Sequence, residues 1–170
     1  MQQNILNSAK VNGLIIGCLL SLKFLLSVQN NMLLSFLAMA ISVSIIVVLY
    51  TTAVKFRDIK CEGSIQFKHA FSFIFQLYFF GTIISSLVMF IYTQFIDKAY
   101  LETMMNETLK MYDKMGISMD DQSLSIVDNI FKPAAHALVN VLGGIFGGAF
   151  WGLILAAFIK KEKSIFEKEL

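Results

Sequence analysis

Residues 140–156 read NVLGGIFGGAFWGLILA, an uncharged apolar segment in which Asn140, Gly144, Gly148, Gly152 and Ala156 recur every fourth residue. Residues four apart share one face of a helix. The spacing therefore predicts a helix with one face almost free of side-chain volume, widened by Gly143 and Gly147 alongside. In water, each such glycine would weaken a helix by roughly 1 kcal/mol relative to alanine. In a bilayer every backbone group must bond within its own segment, so the helix persists and the glycines let a second backbone approach. The segment reads as a membrane span shaped for helix contact.

The rest of the chain fits that reading. Of its 170 residues, 56% are hydrophobic and 15% charged, whereas soluble domains carry about 25% charged residues. Charges are clustered, and 24–54, 70–96 and 133–159 contain no Asp, Glu, Lys or Arg. A bilayer's hydrocarbon core needs about 20 helical residues. The expectation is an all-α polytopic membrane protein, a single membrane domain over 1–170 with four transmembrane helices at about 11–28, 32–54, 70–96 and 133–159. Between the third and fourth helices, 97–132 is expected to form an extracytoplasmic helical hairpin, and 160–170 a cytoplasmic tail. A net charge of +2 with only short basic clusters leaves no footprint for nucleic acid.

The first apolar segment follows a short polar stretch holding one basic residue, Lys10, and has no A-x-A site after it, so it is expected to be a retained span. Gly13, Gly17 and Ser21 repeat the four-residue spacing and form the expected partner face for Gly144, Gly148 and Gly152. Lys23 interrupts this span. It lies five residues before Val28, so its stem can snorkel to the interface; a buried ligand or partner contact is the alternative. Cys18 is read as a small core residue and Cys61 as a free thiol in a polar loop, at different depths and therefore unbridged.

Gln29, Asn30 and Asn31 form a turn between the first two spans, and Gly63 and Ser64 mark the turn before the third. The third span carries Gln76, Thr82, Ser85, Ser86 and Gln94 among many aromatics, polar groups suited to interhelical hydrogen bonds or, alternatively, to a substrate path. In the hairpin, Leu101, Met104 or Met105, Leu109, Tyr112 and Met115 follow helical spacing up to Gly116. Ser118 is a plausible N-cap for a second helix, with Asp120 and Asp121 in its first turn and Ile126, Val127, Ile130 and Phe131 as an apolar stripe.

Basic residues set the expected orientation. Lys10, Lys55, Arg57, Lys60, Lys68, Lys160, Lys161, Lys163 and Lys168 fall on one side and Lys98, Lys110, Lys114 and Lys132 on the other, nine against four, with Lys23 inside a span. The positive-inside bias makes both termini cytoplasmic.

Chemistry is sparse. The spans hold no Asp or Glu, and His69 and His136 start helices on opposite sides of the membrane, so they cannot share a metal. Ser85 and Ser86 lack a G-x-S-x-G setting, and no phosphate-binding or dinucleotide fingerprint is present. Met104, Met105, Met111, Met115 and Met119 offer thioethers to Cu(I) or an adaptable surface to a partner, but no His or Cys joins them. The expectation is no enzyme, no cofactor and no metal. Candidate residues are therefore the helix-packing set Gly13, Gly17, Ser21, Asn140, Gly143, Gly144, Gly147, Gly148, Gly152 and Ala156, and the intramembrane polar set Lys23, Gln76 and Ser85.

Several local strings resemble a bacterial membrane family known as domain of unknown function 4199. They are Ala9-Lys10-Val11-Asn12-Gly13-Leu14-Ile15-Ile16-Gly17, Ser64-Ile65-Gln66-Phe67-Lys68-His69-Ala70-Phe71, the close of the third span at 92–97, Lys114-Met115-Gly116-Ile117-Ser118, and the glycine-rich fourth span ending at Lys160 and Lys161. Their order and spacing cover nearly the whole chain. The resemblance implies a four-helix inner-membrane protein and supplies no catalytic or binding residues. The resulting functional expectation is a non-catalytic subunit or assembly factor of a larger envelope membrane complex, in contact with lipid and with a membrane-protein partner or a second copy of itself. The alternative is a small homo-oligomeric transporter or channel.

Overall fold

In a computed structural model, residues 2–29 and 31–161 are described. Within them the chain forms α1 (Gln2–Ser27), α2 (Met32–Lys60), α3 (Phe67–Ile91) extended by a π-helical turn (Tyr92–Ile96), α4 (Ala99–Lys114), α5 (Asp121–Ile130) and α6 (Pro133–Ile159). No strand is present among the described residues; an isolated bridge pairs Ile65 with Lys161. Four helices are long and apolar enough to cross a membrane: Ser8–Ser27 within α1, α2, Phe67–Ile96 and α6. The protein is thus an all-α, multi-pass membrane protein. Asn30 of the first turn and residues 162–170 of the expected tail, including Lys163 and Lys168, lie outside the described residues.

α3 occupies the centre. It packs along its length on α1 at one side and on α6 at the other, while α2 leans chiefly on α1. The buried core is apolar, built from Ile16, Leu49, Phe73, Ile74, Leu77 and Ile159, and Phe56 stacks on Phe73 with ring centroids 4.1 Å apart. The outer faces of α2 and α6 stay apolar and exposed, as at Leu33, Phe36, Phe146 and Phe158. In lipid that exposure carries no hydrophobic penalty, because acyl chains are as apolar as leucine.

Helix ends follow local chemistry. Asn31 caps α2, its Oδ1 accepting from Leu33 N at 2.9 Å. α2 runs six residues beyond the expected end at 54, so Lys55, Arg57 and Lys60 lie on the helix rather than in a loop. Basic side chains in a last turn complement the helix dipole, and no breaker occurs before Gly63. The reversal there places Glu62 at φ 53° and Gly63 at φ 77°. Gly116, at φ 71°, closes α4 as the spacing predicts. Its N–H bonds Asp113 O at 3.0 Å and Ile117 N–H bonds Tyr112 O at 3.1 Å, the paired bonds of a Schellman closure. The N-cap of α5 is Asp120, not Ser118: its Oδ1 accepts from Ser123 N at 3.0 Å. Those bonds from Ser123 hold its carboxyl below the ordinary range.

Candidate functional site

α3 presents a groove on each side, and small residues fill both. On the α1 side, a Cβ at Gly13 would lie 2.8 Å from Phe80 Cβ, and one at Gly17 would lie 2.7 Å from Ile84 Cβ. Gly81 returns the contact from α3: a Cβ there would lie 2.6 Å from Ile16 Cγ2 and 3.1 Å from Gly17 N. Ser21, buried one turn further on, donates from Oγ to Gly17 O at 2.7 Å. On the α6 side, Gly144 abuts Thr82, Gly148 abuts Tyr78 and Gly152 abuts Phe71, with Ala156 fully buried below them.

The expected pairing of Gly13, Gly17 and Ser21 with Gly144, Gly148 and Gly152 is therefore wrong. Both faces clasp α3, which separates α1 from α6. A four-residue small-residue spacing defines a face but carries no information on which helix it meets. Gly143 is a second correction. It is exposed, with nothing within 4 Å of an added Cβ, because it sits one residue, about 100° of helix turn, off the contact line. Gly147 is intermediate, 3.3 Å from the Tyr78 ring edge, a flexible neighbour. Gly81 is a contact residue that the four-residue spacing did not expose, since of its neighbours four residues away Leu77 is large and only Ser85 is small; Thr82, read as a polar inclusion of the third span, is the residue against Gly144.

The polar groups do not gather in one place. Asn140 Nδ2 donates to Ser86 Oγ at 2.8 Å, joining α6 to α3. Gln76 Nε2 donates to Ser72 Oγ at 3.0 Å, and its buried Oε1 has no partner among the described residues. Ser85 is buried nine residues further along α3. Nine residues amount to about 13.5 Å of rise and half a turn of phase, which puts Gln76 and Ser85 on opposite faces. Lys23 is half-buried and forms no ion pair among the described residues. Its neighbour Phe24 packs edge-on against Tyr92 at 5.6 Å and Tyr100 at 6.1 Å, where the chain leaves the third span. That layer is near the bundle end, within a lysine stem's reach.

At the opposite end, the chain is latched. Arg57 Nε donates to Asp58 Oδ1 at 2.7 Å and its Nη1 to Ile159 O at 3.3 Å. Ile65 N donates to Lys161 O at 2.8 Å, and Lys161 N returns a bond to Ile65 O at 3.0 Å. Cys61 is buried beneath this latch, and burial pushes its thiol pKa up. The cysteines thus reverse their expected places: Cys61 is buried, and Cys18 is exposed on α1. Cys18 follows directly after Gly17 and so points away from the α3 contact. His69 Nδ1 and His136 Nδ1, on different helices, are buried without hydrogen-bond partners among the described residues, and His136 stacks on Phe131 at 5.6 Å.

Residues 12–161 match the model of a family described as a protein of unknown function, DUF4199. No curated protein and no solved structure matches the chain.

Proposed function

The chain belongs to the DUF4199 family, and from that premise we propose that it is a non-catalytic subunit or assembly factor of a larger envelope membrane complex. It sits in the bacterial inner membrane with both termini cytoplasmic and with α4 and α5 on the far side. The observation that carries this reading is the apolar surface left open outside the spans. Met111, Met115, Ile117, Leu124, Ile126 and Ile130 are all exposed, Met115 at 64% and Ile126 at 53%. Single exposed apolar residues are ordinary on any surface, but a run of them across two short helices outside the bilayer suits a protein partner.

The orientation rests on the basic residues. Lys55, Arg57, Lys60, Lys68, Lys160 and Lys161 cluster at the latched end, whereas Lys98 and Lys132 flank α4 and α5. The scattered polar groups favour the accessory reading over a homo-oligomeric transporter or channel, because Gln76 and Ser85 cannot line one path from opposite faces of α3. A photo-crosslinking residue at Ile126, in living cells, is expected to capture a discrete membrane-protein partner. Recovery of uncrosslinked monomer alone, from Ile126 and Met115 positions alike, refutes the accessory reading. A reporter fused after Gly116 that works only in the cytoplasm reverses the orientation.

A further inference from the structure

Near the latched end, residues of α1 and α2 line a groove of about 410 Å³. Its lining changes along its length. Lys55 and Lys60 stand toward the outer end beside the apolar Phe56 and Ile59, Asn12 and Thr52 lie midway, and Ile15 and Val48 form the inner end. From Val48 to Lys60 is twelve residues of helix, about 18 Å. A doubly cationic outer end therefore leads to an apolar floor over a length a little more than half of the bilayer's hydrocarbon thickness of about 30 Å.

We propose that this groove is a binding site for an anionic phospholipid. The two ammonium groups take the headgroup phosphate and Ile15 and Val48 take the upper part of an acyl chain. Charge supports the choice of ligand. Asp58, the one acid on α2, is engaged by Arg57 at 2.7 Å, and no ion pair compensates Lys55 or Lys60 among the described residues. Thr51 Oγ1 donates to Val47 O of its own helix at 2.9 Å, and the lysines are the groove's charged groups. The volume suits a headgroup and the first chain segments, with the remainder of the lipid in the bilayer; small-molecule sites span roughly 300–1,000 Å³. A soluble anion would use the lysines but gain nothing from the apolar floor, whereas a zwitterionic lipid would use the floor but set its own cation against the lysines. The assignment depends on the groove lying at a membrane surface and holds whichever leaflet that is.

The test uses full-length protein in micelles, titrated with fluorescent phosphatidylglycerol or phosphatidylcholine. The protein is expected to prefer phosphatidylglycerol. The Lys55→Gln/Lys60→Gln variant should lose that preference by roughly tenfold or more, as two basic side chains at a lipid surface imply. The Lys160→Gln/Lys161→Gln variant, at the same bundle end but outside the groove, should keep it. Ile15→Trp, which fills the apolar floor without changing charge, should weaken phosphatidylglycerol binding as well and remains informative if the lysine variant misfolds. Equal losses in both lysine variants, equal binding of the two lipids, an unaffected Ile15→Trp protein, or displacement of the lipid by equimolar inorganic phosphate would each overturn the assignment.

Discussion

Replacing Gly144 with alanine sets a new Cβ against Thr82 of α3, with Thr82 Oγ1 at 2.5 Å and Thr82 Cβ at 2.6 Å. Rotation about χ1 could move the hydroxyl or methyl, at the expense of the Oγ1 bond to Tyr78 O at 3.0 Å. It cannot move Cβ, which is fixed to the α3 backbone. The two helices must therefore separate, and overpacking of that kind costs about 1–3 kcal/mol. Alanine's better helix propensity returns up to about 1 kcal/mol, leaving a net loss of about 1 kcal/mol. Gly143→Ala adds the same methyl group one residue earlier and meets nothing within 4 Å. It should be neutral or stabilising by up to about 1 kcal/mol. Unfolding by added dodecyl sulfate in mixed micelles, followed through the fluorescence of the single tryptophan, Trp151 on α6, measures both. At 1.4 kcal/mol per tenfold, Gly144→Ala should shift the folding equilibrium by about fivefold. A Gly144→Ala protein as stable as the parent, or equal losses in the two variants, would show that α6 does not lie against α3 as described.

Asn140→Ala removes the bond to Ser86 Oγ, and the same unfolding assay should show a loss of about 0.6 kcal/mol, the average for hydrogen bonds between membrane helices. Asp120→Ala should reduce the helicity of α5 measured by circular dichroism or amide exchange, leaving the spans intact. Because the carboxyl of Asp120 is held low, its capping is in force above the ordinary carboxylate range and fades as pH falls through its lowered value. Cys61, being buried, should react with a water-soluble maleimide far more slowly in the folded protein than after unfolding. Its raised pKa means that the stability it contributes is intact below 9.0 and declines as pH climbs past 9.0, where only the unfolded thiol ionises freely.

The four spans were legible in the chain because their cause is one-dimensional: apolar runs long enough for a bilayer, separated by charge. Gly116 as the stop of α4 was legible for a similarly local reason, since a left-handed backbone position favours glycine. The capping of α5 was less so. Ser118 and Asp120 are both good caps, and only the turn made by residues 116–120 selects which one meets the first free N–H groups.

Partnership between helices was decided by the tertiary structure. The four-residue rows of α1 and α6 are mutually complementary on paper, yet each meets α3, whose own contribution is a lone Gly81 with Thr82 and Tyr78 beside it. Periodicity reports which residues share a face, whereas contact depends on the shape of the opposing surface, and α3 offers two such surfaces. The same limit explains Gly143 and the two cysteines. Being small or apolar fixes what a residue can tolerate, but a rotation of about 100° per residue fixes whether it faces a helix or the lipid, and that phase is set only when the helices pack.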